Sequence, residues 1–395
     1  MTPDYPPLIY GGGGVVAQSI AQHLTKKGHK VTVISGFNPK KTSRERPYKE
    51  CHGEIEIIWV PLFSVLDKQC PQLRGSMPPS TSSIKFLKMI NYDNYDVIHL
   101  NGFGHLLIDY VNLITKKSSK IITIHAFQKY VDKGRDSNFL FKFLYKIYYL
   151  TIGKYTLNST KTITTVSRFT AEECIKRGIS KNKVVVIENG IDLEKYKIIT
   201  YDELEKKFQI GKEELLILSI SRVTWYKGYE YALKAIHKIV NTTKRSIKYM
   251  IMGRIEDQNY YWKLRKLVNE LGLKANVIFT GFLSEKLKLQ ALTRANIFLA
   301  PSLHEGFGIV ILEALAMGKP IIASNCEGFR CILEHMETGI LIEPAKYEKI
   351  IDAVLLLLSK PVLCGMLSKN AISLVRKYDW RNRVSVYNDI YKQLI

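Results

Sequence analysis

The stretch NIFLAPSLHEGFGIVILEALAMG, residues 296–318, has the pattern of one strand–loop–helix unit of an α/β fold. The apolar run NIFLAPS predicts a buried strand, LHEGFG predicts a loop, and IVILEALAM predicts a helix with Gly318 as its C-terminal cap. Gly306 and Gly308 have no side chains, so a ligand can approach the loop backbone beside the first amides of the helix. These amides lack intrahelical partners and attract phosphate. Glu305 follows the strand, and open α/β sheets bind ligands at the carboxyl ends of their strands.

Similar apolar runs recur along the chain and alternate with helical patterns such as 16–27 and 263–271. The runs are apolar on both faces, as in parallel strands covered by helices, so the sequence predicts an α/β fold with two doubly wound parallel sheets. A polar stretch at 192–212 predicts a linker, and 71–83 predicts one long loop. The predicted strands are 30–36, 96–102, 120–126, 162–167 and 183–190, then 215–221, 247–253, 276–281, 296–302 and 319–324.

The net charge of +22 is spread over both halves of the chain. Residues 1–195 carry 28 Lys and Arg against 16 Asp and Glu, and residues 196–395 carry 30 against 20. A diffuse positive charge is compatible with nucleic acid, an anionic membrane surface, anionic small substrates, or simply a solvated lysine-rich surface.

The six cysteines are scattered without metal-site spacing, which predicts free thiols in a reducing compartment. No apolar run reaches the length of a membrane span, and the N-terminus lacks signal-peptide character. We therefore expect a cytoplasmic protein, with peripheral contact at an anionic membrane as a further possibility.

The glycine run GGGGVVA, residues 11–17, has the spacing of a dinucleotide-binding fingerprint. That fingerprint also needs a preceding strand and an acidic residue about 20 positions later, and no carboxylate lies between the glycines and Glu45. An oxidoreductase with a nicotinamide or flavin cofactor is therefore disfavoured. The glycines still offer backbone that a bulky or anionic group can approach closely, and a helix starts behind them.

Two cations and two carboxylates suggest a site for a nucleotide-diphosphate sugar. Arg222 and Lys227, in SISRVTWYKG, follow a predicted strand and suit a diphosphate. Glu305 and Glu313 suit hydroxyl groups, and their eight-residue spacing is just over two helical turns, which would place them on related faces. The alternative is a surface cation pair and a solvated helix glutamate.

At these residues the sequence resembles family 4 of the retaining glycosyltransferases, which have the GT-B fold of two facing Rossmann-like domains with a donor cleft between them. The resemblance covers nearly the whole chain, and the order and spacing of its motifs make it specific. The motifs are PDYPPLIYGGGGVVAQSIAQHL, TIHA, VSRFTAEE, IENGID, SRVTWYKG and the E-x7-E element EGFGIVILE.

The resemblance assigns catalytic and donor-binding roles by position. Glu305 matches the first glutamate of E-x7-E, which contacts the transferred sugar, and Glu313 matches the second, which holds the ribose hydroxyls. Arg222 and Lys227 match the pair that neutralises the donor diphosphate. This pair can replace a divalent cation, and the sequence has no Asp-x-Asp motif, so no metal and no cofactor is expected.

Other positions match donor contacts through the backbone or from the first domain. The amides of Phe307 and Gly308 match the backbone around the donor, and Gly13 and Gly14 match the loop between donor and acceptor. His125 matches the histidine that reaches the donor sugar, although a lone histidine after an apolar strand is more often structural.

Three departures from the family pattern stand out. Family members usually have a strand before TPDYPP, and Met1 falls where that strand should end, so a central strand of the first sheet is expected to be missing or truncated. Arg254 stands where family members commonly have a small residue, and Asn101 stands where they often have a second histidine. Both departures leave the identity of the donor undetermined.

The resemblance implies a retaining, metal-independent glycosyltransferase, most simply a hexosyltransferase, which uses a nucleotide-sugar donor and a glycan or lipid-linked acceptor. Residues 1–192 with 379–395 would form the acceptor-side domain, and 193–378 the nucleotide-sugar domain. The alternative is a non-catalytic basic protein that binds nucleic acid or nucleotides, although no nucleic-acid motif supports it.

Two stretches of the first half suggest where an acceptor or membrane would bind. NPKKTSRERPYK, residues 38–49, concentrates basic residues, and FLFKFLYKIYYLTIGKY, residues 139–155, interleaves aromatics with lysines. The second predicts either a core helix packed on the sheet or a surface that contacts anionic lipid. A lipid-linked acceptor would fit the second interpretation, and a soluble sugar acceptor is the alternative.

Overall fold

The chain folds into two compact units. The computed structural model describes residues 1–8, 11–39, 42, 44–63, 77–116, 119–127, 143, 146–243 and 245–395. The N-terminal unit comprises Met1–Asn189 with Trp380–Ile395, and the C-terminal unit comprises Gly190–Asp379. Each unit has its own β-structure and its own buried apolar core.

The N-terminal unit contains two sheets, one of three strands in the order β2-β3-β1 and one of four parallel strands in the order β4-β5-β6-β7. In the first sheet β1 and β3 are parallel, and β2 is antiparallel to β3. The strands are β1 Thr32–Phe37, β2 Tyr48–His52, β3 Ile55–Pro61, β4 Ile98–Asn101, β5 Lys120–Ile124, β6 Thr162–Thr165 and β7 Val184–Val186. The helices are α1 Gly12–Lys26, α2 Thr81–Met89, α3 Leu106–Ile114, α4 Lys154–Ser159, α5 Arg168–Lys176 and α14 Trp380–Leu394.

Met1 and Thr2 lie between these two sheets. Thr2 forms a parallel bridge with Ser35 of β1, and its amide donates to the carbonyl of Ile34 at 3.0 Å. On the other side, the backbone amide of Asn101 in β4 donates to the Met1 carbonyl at 2.8 Å. These two residues therefore connect the two sheets where a central strand was expected.

The last helix, α14, packs within the N-terminal unit. Its Trp380 ring lies 6.4 Å from the ring of His23 on α1. The Tyr391 hydroxyl is 2.7 Å from His99 Nδ1 of β4, and the opposite ring nitrogen of His99 is 2.7 Å from the Thr123 hydroxyl of β5. The C-terminal helix is therefore tied to the parallel sheet by a hydrogen bond between polar side chains.

The C-terminal unit is built around one six-stranded parallel sheet in the order β10-β9-β8-β11-β12-β13. The strands are β8 Leu215–Ile220, β9 Ile247–Met252, β10 Val277–Gly281, β11 Ile297–Ala300, β12 Ile321–Ser324 and β13 Ile340–Ile342. The helices are α6 Asp202–Phe208, α7 Tyr229–Thr242, α8 Gln258–Glu270, α9 Glu285–Arg294, α10 Ile309–Ala316, α11 Glu327–Arg330, α12 Tyr347–Ser359 and α13 Pro361–Val375. The strand order reverses between β8 and β11, which makes the carboxyl ends of these two strands a topological switch point.

The structure confirms all ten predicted strands and adds β2, β3 and β13. The predicted linker at 192–212 is wrong, because this stretch belongs to the C-terminal unit and contains α6. Leu204 of α6 is fully buried, and its amide donates to the Gln290 side chain at 3.1 Å. The predicted loop at 71–83 lies partly outside the described residues, and α2 begins within it at Thr81.

Among the described residues, no single helix has both the length and the apolar character needed to cross a membrane. Two consecutive segments, Tyr347–Ser359 and Pro361–Tyr378, meet those criteria only when taken together, and they are bent by 101° relative to each other.

Gly253 is a position where only glycine fits. It follows β9 with φ +147, and a Cβ there would lie 2.0 Å from the Ser221 carbonyl oxygen after β8. We expect Gly253→Ala to lower the free energy of unfolding by about 2–5 kcal/mol, because backbone strain and a steric clash add. Urea unfolding measures this loss.

Gly365 provides the matched control for this substitution. It lies within α13, and a Cβ there would meet nothing within 4 Å. Gly365→Ala should stabilise the protein by about 0.5–1 kcal/mol, since alanine is the better helix former. Equal effects at the two positions would contradict the steric explanation.

Candidate active site

The site lies at the switch point of the C-terminal unit. The neighbouring strands β8 and β11 end at Ile220 and Ala300, and the loops that follow carry the predicted cations and the first glutamate. The Leu303 amide of one loop donates to the Tyr226 carbonyl of the other at 2.8 Å. The fold thus holds two loops together where open α/β sheets bind ligands.

Lys227 and Glu305 form the central ion pair of this site. The Lys227 ammonium lies 2.5 Å from Glu305 Oε2, and the lysine side chain is only 7% exposed. Gly228 places the lysine by taking a left-handed conformation, φ +66, in which a Cβ would lie 2.2 Å from the Pro301 carbonyl oxygen. A buried lysine charge needs such a partner, so the pair is part of the local architecture.

Arg222 lies beside this pair but has its own partners. One guanidinium nitrogen is 2.7 Å from Glu256, and another donates to the Tyr226 hydroxyl at 2.8 Å. Burial acts to lower the pKa of Arg222, but the nearby Tyr226, Glu256 and Glu305 raise that pKa above its ordinary value. The guanidinium therefore stays charged, and its side chain remains 40% exposed.

The start of α10 completes this part of the site. Gly308, the N-cap residue, has φ +99, and a Cβ there would lie 2.5 Å from the Phe329 ring. The Phe307 side chain is buried, and its ring lies 6.2 Å from that of Tyr378. The Gly328 amide donates to the Glu305 carbonyl at 3.1 Å. The turn that precedes the helix is thus fixed on several sides, with the helix N-terminus next to the Lys227–Glu305 pair.

Glu313 is a buried residue of α10, which rules out the solvated alternative. It is 8% exposed and accepts hydrogen bonds from the Tyr196 hydroxyl and the Lys288 ammonium, each at 2.8 Å. The expectation that both glutamates share one face of a helix is wrong, because α10 begins at Ile309 and Glu305 lies in the preceding loop. Each carboxylate therefore has its own set of partners.

The remaining predicted residues lie in the N-terminal unit. His125 Nε2 is 3.0 Å from the Asn101 side-chain oxygen, and Asn101 donates its amide to the Gly13 carbonyl at 3.1 Å. This amide orientation leaves the oxygen facing His125, so Nε2 carries the hydrogen. Burial first, and then His105, lowers the pKa of His125 to about 4, so the imidazole is neutral at pH 7. A Cβ on Gly14 would lie 2.9 Å from the Asp4 carboxylate.

Four residues of the site were not predicted from the sequence: Glu256, Tyr226, Tyr196 and Lys288. Tyr226 lies inside the quoted SRVTWYKG motif, and its position next to Lys227 was the available signal. No such signal was available for the other three, since they are 25 to 117 residues from the side chains that they contact. Within the described ranges, no group of three or more His, Cys, Asp or Glu side chains could hold a metal ion.

Comparison with protein families gives two matches that together span most of the chain. A family model described as Glycosyltransferase Family 4 matches residues 10–195. A second, described as Glycosyl transferases group 1, matches residues 200–374. Each match falls largely within one of the two units.

Individual proteins match over most or all of their length. An uncharacterized glycosyltransferase of Methanocaldococcus jannaschii is 27% identical over 99% of this chain and 97% of its own length. The UDP-Gal:α-D-GlcNAc-diphosphoundecaprenol α-1,3-galactosyltransferase of Escherichia coli is 24% identical over 80% of this chain and 79% of its own. The crystal structure of Anabaena HepE in complex with UDP-glucose has a TM-score of 0.73 at 19% identity and covers 99% of this chain and 97% of its own.

Proposed function

Because the chain belongs to the group 1 glycosyltransferases of glycosyltransferase family 4 and has their GT-B fold, we propose the following reaction. The enzyme transfers a hexosyl group from a nucleotide-diphosphate sugar to a glycan or lipid-linked acceptor, with retention of configuration and without a metal ion. The observation that carries this proposal is the Lys227–Glu305 pair at the switch point, with Arg222 beside it and the N-terminus of α10 adjacent.

The electrostatics of this cluster suit a departing diphosphate. When the bond between the sugar anomeric carbon and the phosphate oxygen breaks, negative charge develops on the nucleoside diphosphate. Lys227, Arg222 and the amides of Phe307 and Gly308 would stabilise this charge where it forms. Two fixed cations supply the charge that a divalent ion otherwise supplies, which is why we propose a metal-independent reaction.

The carboxylates have hydroxyl groups as their proposed ligands. Glu305, held by Lys227, would accept hydrogen bonds from the transferred sugar, and Glu313 would hold the ribose. In the N-terminal unit, we assign His125, Gly13 and Gly14 to contacts with the donor sugar and the acceptor. The neutral His125 ring would act there through hydrogen bonding and shape, not as a cation.

The relatives indicate which substrates to test first. UDP-galactose and a diphosphoundecaprenol-linked acceptor appear in the name of the Escherichia coli relative, and UDP-glucose is bound in the Anabaena structure. We propose a uridine nucleotide as the first donor candidate and a polyprenyl-diphosphate-linked sugar as the first acceptor candidate.

A panel of nucleotide sugars tests the proposed function. Purified protein is incubated with UDP-, GDP-, ADP- and dTDP-hexoses, with and without EDTA, and thermal shift and donor hydrolysis are measured. At least one donor should stabilise the protein and be hydrolysed equally in EDTA, and NMR of the product should show retention. Binding of DNA or RNA in a mobility-shift assay, together with no response to any donor, would favour the non-catalytic alternative.

The segment 146–159 and the neighbouring Phe143 support a membrane-associated acceptor. One side of the segment packs inward, since Leu157 and Thr156 are buried. The other side leaves large apolar side chains exposed, so the core-helix interpretation describes only part of this segment. These exposed side chains are Phe143, Ile147, Leu150, Ile152 and Tyr155.

The charge around this apolar surface favours anionic lipid. Lys146 and Lys154 are exposed on it, and the sequence has no Asp or Glu from 137 to 171. Several predicted basic positions, namely 40, 41 and 142, lie outside the described residues. Apolar side chains among lysines suit the interface of an anionic bilayer, so we propose peripheral contact there.

Co-sedimentation with liposomes tests this contact. We expect binding to anionic vesicles at low salt, weaker binding at physiological salt because of screening, and little binding to neutral vesicles. Leu150→Glu combined with Ile152→Glu should reduce binding by about tenfold or more, since both side chains lose apolar contact. Val362→Glu, at an apolar residue 87% exposed in the other unit, is the control. Unchanged binding of the double variant would remove this surface from the proposal.

A further inference from the structure

The carboxylate of Glu313 is held through one of its two oxygens. Both donors, the Tyr196 hydroxyl and the Lys288 ammonium, contact Oε1 at 2.8 Å. Within the part of the chain that the structure describes, no side chain or amide donates to Oε2. The carboxylate is therefore fixed in orientation, with one oxygen engaged by the protein and the other available to a ligand.

The two donors come from separate elements and are themselves constrained. Tyr196 follows the short 3-10 turn Leu193–Lys195, and Lys288 lies on α9, where it also pairs with Glu285 at 2.9 Å. Lys288 is 16% exposed, so its side chain has few alternative conformations. A carboxylate oriented by an ammonium and a hydroxyl resembles the oriented ligands of other preorganised binding sites.

The protonation states keep both residues as donors at neutral pH. Burial lowers the pKa of Lys288, but Glu313 and Glu285 outweigh it and raise that pKa above its ordinary value. Burial, reinforced by Glu313, raises the pKa of Tyr196 well above its ordinary value. Lys288 also cancels the Glu313 charge, which would otherwise repel an anionic ligand bound nearby.

We propose that Lys288 and Tyr196 are positioning residues that present Glu313 Oε2 to a vicinal diol, the ribose of the nucleotide donor. This inference rests on the proposed function, because it takes the ligand of this site to be a nucleotide. It assigns a positioning role to two residues that the sequence did not identify. It also predicts that the contact which they orient is made to the ribose and not to the diphosphate.

Paired nucleotides separate this role from a merely structural one. Affinities of UDP, ADP and GDP are measured by calorimetry beside those of their 2′,3′-dideoxy counterparts. In the wild type, the best diphosphate should bind about 10- to 100-fold more tightly than its dideoxy form, since a charge-assisted hydrogen bond is lost. In Tyr196→Phe this ratio should fall towards one through weaker binding of the ribonucleotide, while dideoxy binding is unchanged. In Lys288→Met the ratio should fall likewise, in addition to a smaller loss common to both forms from the uncompensated Glu313 charge.

Two further variants complete the test. Lys288→Arg keeps the charge and should retain most of the ratio, and Lys286→Met, at an exposed lysine of the same helix, should leave it unchanged. If Lys288→Met fails to fold, Tyr196→Phe alone decides, because Lys288 still compensates the Glu313 charge in that variant. Equal losses for both nucleotide forms, or no loss in either variant, would overturn the inference. A wild type that binds none of the three diphosphates, nor inorganic pyrophosphate, would instead overturn the proposed function and this inference with it.

Discussion

Lys227→Ala and Arg222→Ala should each weaken binding of a nucleoside diphosphate by about 10- to 150-fold and leave binding of the nucleoside close to that of the wild type. The physical reason is the loss of a charge-assisted contact to the diphosphate, which the nucleoside lacks. Lys227→Ala should weaken diphosphate binding more than Arg222→Ala does. Removal of the lysine leaves the Glu305 carboxylate without the ammonium group that lies 2.5 Å from it. Calorimetric titration with UDP and uridine measures both effects.

A charge-matched control separates this local effect from the general loss of positive charge. Lys266→Ala removes a lysine that is 80% exposed on α8 of the same unit, and it should not alter either affinity. Salt dependence provides a second check, because a nonspecific charge effect would shrink at high ionic strength for all three variants. If nucleoside and nucleotide binding fell equally in Lys227→Ala or Arg222→Ala, neither residue would be a diphosphate ligand.

Glu305→Gln should mainly lower turnover, by about 10²–10³-fold, whereas Glu313→Gln should mainly weaken donor binding. Glutamine preserves the shape of each side chain but removes the charge that Lys227 or Lys288 compensates. Glu305 lies at the switch point beside both cations, where the reacting bond would lie, and Glu313 lies on α10. Steady-state kcat and KM for donor hydrolysis separate the two roles.

Both variants need a check of folding, because each removes a carboxylate that pairs with a lysine of low exposure. Thermal unfolding with and without UDP shows whether the variant still folds and still binds nucleotide. Wild-type turnover in Glu305→Gln would refute the role given to that residue. A Glu313→Gln variant with normal KM and reduced kcat would reverse the two assignments.

Most of the fold could be predicted because buried parallel strands are continuous apolar runs. Of the three strands that were not predicted, β3 is a buried parallel run that satisfies this rule, whereas β2 and β13 show its limit. β2 is polar and half exposed, and it pairs only with β3, in the antiparallel direction. β13 is only three residues long. The polar sequence of α6 suggested a linker, since its single fully buried side chain, Leu204, gives too little periodicity to indicate packing.

The site could be predicted in part for a related reason. The backbone features of the strand–loop–helix unit are local. The positions of Glu305, Gly308 and the helix start could therefore be predicted from residues adjacent in the sequence. The partner of each charge depends instead on which strands are neighbours. Glu256 reaches Arg222 because β9 lies next to β8, and such pairings appear only once the strand order is known.

The position of α14 has a consequence for how the protein is made. The C-terminal unit, Gly190–Asp379, is one continuous segment, while the N-terminal unit needs both ends of the chain. The contact between His99 and Tyr391 in that unit joins residues 292 positions apart. During synthesis the unit that leaves the ribosome first is therefore completed only after the other unit has been translated, because α14 follows that unit in the chain. A protein truncated after residue 379 would retain an intact second unit beside a first unit whose parallel sheet lacks its closing helix.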